Sequence, residues 1–131
     1  MKRTNSDIPI LSTKVINDLR SIQVPGEPDI VNQLFDVFIK TSAQRVDHLS
    51  SLAHSLVEGE DLKPLSLEAH ALRSSALMIG AFSLAEVCEQ IERHPEIGLT
   101  SEFLLDEVAD EVKTVVSEIQ KVRQEISPTR H

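Results

Sequence analysis

The chain has 131 residues, 40% of them apolar, and its 13 basic and 21 acidic side chains leave a net charge of −8. That length suits one domain with one real core, and so apolar a composition excludes a disordered tail. Four Phe with no Trp and no Tyr offer little surface for stacking bases, and the acidic balance repels a phosphate backbone, so both speak against a nucleic-acid partner.

At the start, Met1-Lys2-Arg3 is basic, but Asp7 and Pro9 soon interrupt the chain, and no apolar stretch resembles a signal peptide or a membrane span. The expectation is a soluble cytoplasmic protein with no membrane partner. Pro25-Gly26-Glu27-Pro28, Glu58-Gly59-Glu60-Asp61, Gly80 and His94-Pro95-Glu96-Ile97-Gly98 punctuate the chain. Between these breaks apolar residues recur every three or four positions, which predicts helices over 12–23, 29–58, 61–79, 81–93 and 101–126.

The short first segment is expected to cover one end of the fold. The long second one lines up Val31, Leu34, Phe38, Val46, Leu49, Leu52 and Leu56, with Asp29 as a plausible N-cap and Gly59 as a stop. In the third, Pro64 falls near the start, where backbone N–H groups lack intrahelical partners anyway. The fourth carries Cys88, the one cysteine, which excludes an internal disulfide and gives no zinc cluster. The last lines up Leu104, Val108, Val112, Val115, Ile119, Val122 and Ile126 behind an N-cap placed at Thr100. Polar and charged residues fill the opposite faces, and no segment alternates with period two. The fold expected is all-α: an up-down-up-down antiparallel four-helix bundle with a short additional N-terminal helix, since short loops make successive helices antiparallel neighbours.

The third helix has two faces that both need explaining. Leu62, Leu65, Ala69, Leu72, Ala76 and Ile79 form a core stripe. His70 lies roughly 130° from the centre of that stripe, so it points outward or sideways. Its outward neighbours Leu67, Ala71, Ser74, Leu77 and Met78 carry no charge, whereas Glu68 and Arg73 stand at the flanks. An exposed apolar patch of this kind marks a surface for another protein. Imidazole at its centre is a nucleophile, largely neutral near neutral pH, and Arg73 three residues on can reach a group carried by the ring. Guanidinium suits phosphate through its fixed charge and forked donors. The competing reading makes His70 an ordinary surface histidine, with Leu77 and Met78 packed on a neighbouring helix. His48 and His54, which share no face, His94 beside a helix end and the terminal His131 read as ordinary surface histidines. There is no catalytic triad, Gly-rich phosphate loop or metal-ligand spacing.

The run from Glu68 to Ala81 resembles the signature of the histidine-containing phosphotransfer (HPt) family, Ala-His-x-Leu-Lys-Gly-Ser with a Gly ten residues after the His. Ala69, His70, Leu72, Ser75, Gly80 and Ala81 fall in register, and Leu84, Ala85, Cys88, Ile91 and Glu92 continue the likeness. It extends over about residues 10–125, so residues 1–131 are read as a single HPt domain with its bundle core at about 28–126. Arg73 stands where the family usually has Lys, and Ser74 where it usually has Gly.

The resemblance implies a phosphorelay intermediate and not an enzyme with kinase activity. His70 takes a phosphoryl group from a receiver-domain aspartate and passes it to another receiver, Arg73 stabilises that group, and Leu67, Ala71, Ser74, Leu77 and Met78 dock the partner. It implies no cofactor of the chain's own, since the receiver supplies Mg²⁺. The partners it implies are response-regulator receiver domains and a hybrid sensor histidine kinase, with a monomer usual for the family. The alternatives are an HPt-like module that docks a receiver or kinase and inhibits it unphosphorylated, or an unrelated four-helix interaction domain.

Overall fold

The computed structural model describes residues 9–55, 61–100 and 102–126, with the side chains of 98–100, 102–103 and 125–126 left aside. Among the described residues six helices succeed one another: α1 (Thr13–Ser21), α2 (Ile30–Ser55), α3 (Lys63–Met78), α4 (Phe82–Arg93), α5 (Pro95–Thr100) and α6 (Glu102–Ile126). No strand occurs among the described residues, and none of these helices is long and apolar enough to cross a membrane. The predicted segments are therefore present: α1 and α3 are one or two residues shorter at each end, α2 and α4 begin one residue later, and α4 ends at Arg93 as expected. Leu56 and Gly59 lie outside the described residues, as does the side chain of Ile126.

One break differs from expectation. The stretch expected as the loop after His94 is helix α5, and Thr100, expected as a cap, lies inside it. His94 ends α4 with a non-helical backbone, and Pro95 then opens a new helix at a position where its missing N–H costs nothing. Ile97 closes the turn through its N–H to the His94 carbonyl (2.9 Å) and packs against the core. The apolar Ile97 thus turns a linker into a structural element.

The core forms where four helices meet. α3 packs against α2 and α4, and α6 packs against the same two, so α2, α3, α4 and α6 close a ring. Leu65, Leu72, Phe35, Leu84, Ile91 and Ile119 are fully buried at its centre. The expected core stripe is buried at Leu65, Ala69, Leu72, Ala76 and Ile79, while Leu62, just before α3, is only half-buried. On α2 the fully buried line runs through Val31, Phe35, Phe38, Ser42 and Leu49, while the expected Leu34, Val46 and Leu52 pack at its border. Ser42 sits four residues after Phe38, and its place on that line buries it whatever its polarity.

The connections are tightly specified. Pro25-Gly26 makes a turn in which Gly26 has φ +87° and the Glu27 N–H reaches the Val24 carbonyl (3.0 Å), as a type II turn requires. The Asp29 carboxylate then caps α2 by accepting from Val31 and Asn32 N–H (3.0 and 3.2 Å). At the far end of α3, Gly80 has φ +80°, the Ala81 N–H reaches the Ala76 carbonyl (2.8 Å) and the Gly80 N–H reaches that of Leu77 (3.1 Å). This double closure satisfies carbonyls that the helix end would leave bare and favours glycine at the left-handed residue. Ser12, which caps α1 through its hydroxyl, donates its own N–H to the Gly80 carbonyl (2.9 Å), so α1 begins against the α3–α4 turn.

Candidate functional site

Because the α3–α4 turn is only three residues long, α4 folds straight back along α3, and its last turn comes level with the middle of α3. Ser66 pins that end by donating its hydroxyl to the Glu92 carbonyl oxygen (2.7 Å). The Glu92 side chain, 23% exposed, then bridges two residues of α3. Its Oε2 lies 2.7 Å from His70 Nδ1, and its Oε1 accepts from Arg73 Nε at 2.7 Å.

The Arg73 guanidinium, helped by the His70 ring, holds the Glu92 carboxyl below the usual carboxylate range, and the same contact raises the already high pKa of Arg73. An ionised carboxylate can only accept, so Nδ1 of His70 carries a proton. Arg73 Nη2, 3.4 Å from the same Nδ1, is therefore a close neighbour and not a donor to it. In the neutral ring the lone pair then belongs to Nε2. With the side chain about half exposed, this arrangement offers an oriented nucleophile at the surface.

The uncharged neighbours fall where the helical period places them. Leu67 and Met78 are each 58% exposed and Leu77 is 40% exposed; Ser74 is exposed and Ala71 half-buried. Phe82, at the first position of α4, and Val37 on α2 add exposed apolar surface beyond the face of α3. Glu92 is the site residue that sequence reasoning left without a role. No spacing within one helix points to it, and only the length of the α3–α4 turn could have placed it opposite His70. Cys88 is buried, and burial pushes its thiol up to about 12. Among the described residues no group of three or more His, Cys, Asp or Glu is arranged to hold a metal ion.

The chain matches no curated protein. Among solved structures it resembles a histidine-containing phosphotransfer protein from maize at 18% identity and a TM-score of 0.70, over 88% of this chain and 90% of that one. At that identity the likeness concerns the fold. The Hpt domain model matches residues 33–125, and Hpt domain proteins are phosphotransfer carriers of two-component signalling rather than kinases. With most of its length inside that match, the chain belongs to the Hpt domain family.

Proposed function

We propose that His70 is the phosphoryl carrier of this chain, loaded by the aspartyl phosphate of one receiver domain and discharged to the aspartate of another. The observation that carries the reading is the 2.7 Å contact between Glu92 Oε2 and His70 Nδ1, which leaves the lone pair on Nε2. Nε2 attacks phosphorus, the N–P bond forms, and the P–O bond to the aspartate breaks with its electron pair leaving on the carboxylate. The imidazolium that results keeps its Nδ1 proton shared with Glu92, so the charge created on the ring meets a carboxylate already in place. Arg73 adds positive charge from the Nδ1 edge of the ring and fixes the Glu92 rotamer. Chemistry of this kind needs positioning and charge neutralisation, and the receiver contributes Mg²⁺ and most of the catalytic groups. The chain brings no cofactor of its own.

The back of α3, with Leu67, Ala71, Ser74, Leu77 and Met78, is where the receiver lies, since desolvating uncharged side chains costs little. A hybrid sensor histidine kinase stands upstream. The same reading makes the chain a single domain and a monomer acting in the cytoplasm, its four long helices running up-down-up-down.

Incubation with a phosphorylated receiver, followed by mapping of acid-labile, base-stable phosphate, tests this. Wild type should carry the label on His70 and the His70→Gln variant should lose it there, with little change in melting temperature. A wild-type protein that binds the phosphorylated receiver yet never carries phosphate on His70 would be a docking module and not a carrier.

A further inference from the structure

The groove on the other flank of α3 contains the same three residue types in the same relation. His48, on α2, places Nδ1 2.8 Å from Oε1 of Glu68, on α3. The second oxygen of Glu68 accepts from Arg45 Nη1 at 2.9 Å. Arg45 stands three residues before His48 as Arg73 stands three after His70, so in both cases arginine and histidine share a helix face. In both cases the carboxylate comes from the following helix: Glu68 is 12% exposed where Glu92 is 23%, and the His48 side chain is 58% exposed where that of His70 is 52%. Beside His48 an open cleft of about 300 Å³ is lined by Thr41, Gln44, Arg45 and Glu68. The apolar back of α3 thus runs between two imidazoles, each held at Nδ1 by a carboxylate with Nε2 left for chemistry.

We propose that His48 is a second phosphoryl-accepting histidine, reactive with acyl phosphate or phosphoramidate donors through Nε2. The proposal rests on the reading of the His70 cluster as a carrier site, since it extends the same chemistry to a second copy of that arrangement. Nε2 of neutral His48 attacks phosphorus and forms the N–P bond. The P–O bond of an acyl phosphate, or the P–N bond of phosphoramidate, breaks and its pair leaves on carboxylate or ammonia. The Nδ1 proton stays between the ring and Glu68, whose second oxygen Arg45 keeps occupied. The cleft beside the ring holds the transferred group among the side chains of Thr41, Gln44 and Arg45.

Phosphoramidate is the probe, because it needs no receiver and reports on each ring in the folded protein. Full-length His70→Gln is treated with it and the label on each histidine is followed in time by mass spectrometry. His48 should be labelled about tenfold faster than it is in the same protein carrying Glu68→Ala, the size of effect a carboxylate partner has on an imidazole ligand. Glu68→Ala alone should leave labelling of His70 unchanged. Nitrogen-correlated NMR of the wild type should independently find both His48 and His70 protonated on Nδ1. Labelling of His48 that is no slower in the Glu68→Ala variant, or a His48 ring protonated on Nε2, overturns the proposal and leaves His70 untouched. Failure of wild type to take label on His70 strikes the carrier reading itself.

Discussion

Gly80→Ala separates two reasons for the glycine that ends α3. Gly80 and Gly26 both have left-handed backbone, at φ +80° and +87°. An L side chain in that conformation costs roughly 1–2 kcal/mol, partly offset by about 0.4–1 kcal/mol from the stiffer unfolded chain. These contributions apply alike to both positions and cancel between the two variants. What differs is space. A Cβ at Gly26 would meet nothing within 4 Å, whereas at Gly80 it would come to 2.9 Å from Ser12 Cβ, 3.0 Å from Val15 Cβ and 3.1 Å from Ser12 N. Ser12 N cannot retreat alone, because its N–H is bonded to the Gly80 carbonyl, so the start of α1 must shift. Overpacking of this kind costs about 1–3 kcal/mol. At about 3–5 °C per kcal/mol for a chain of this length, Gly80→Ala should melt roughly 3–15 °C below Gly26→Ala. Urea and thermal unfolding of both variants, followed by far-ultraviolet circular dichroism, measure the difference. Equal losses would refute the reasoning, since α1 would then not be seated on the α3–α4 turn.

Three further outcomes concern the site. Glu92 has a lowered pKa, so the stability it contributes is complete above the ordinary value of 4.5 and is lost as pH falls through its folded value. The gap in melting temperature between wild type and Glu92→Gln should therefore hold above the ordinary value of 4.5 and narrow as pH falls below it, and a constant gap would contradict the ion pair. Arg73→Ala should slow transfer or shorten the life of phosphohistidine with helical content unchanged, and Arg73→Lys should keep most of the activity; wild-type behaviour of both variants removes the phosphoryl-stabilising role. Ser74→Glu should keep the fold and block transfer by placing an unpaired charge in a desolvated interface. Ser74→Gly should lose about 0.5 kcal/mol of stability, since serine already lies between alanine and glycine in helix preference, while transferring as fast or faster; normal transfer by Ser74→Glu would move the docking face elsewhere.

Much of α3 was legible in the residues alone. Helical geometry is local: a side chain's angle about the axis comes from counting residues, so burial of Leu65, Ala69, Leu72 and Ala76 puts His70 outside and leaves Leu67 and Met78 exposed beside it. The stop at Gly80 is equally local, because a left-handed residue favours glycine. Relations between helices are of another kind. Which stripe of α2 turns inward, and so buries Phe35 and Ser42 fully while Leu34 stays at the border, depends on how ridges of neighbouring helices fill each other's grooves. The same rotation and offset bring Glu92 to His70 and Glu68 to His48, pairs 22 and 20 residues apart that no helical period connects. Helix α5 exists for a related reason, since Ile97 gains by packing on the core only when four helices have already made one. The sequence by itself determined the helices and the outward histidine; the carboxylates that stand against Nδ1 of the imidazoles were decided by tertiary structure, because a hydrogen bond of 2.7 Å needs two helices set at a particular height and rotation.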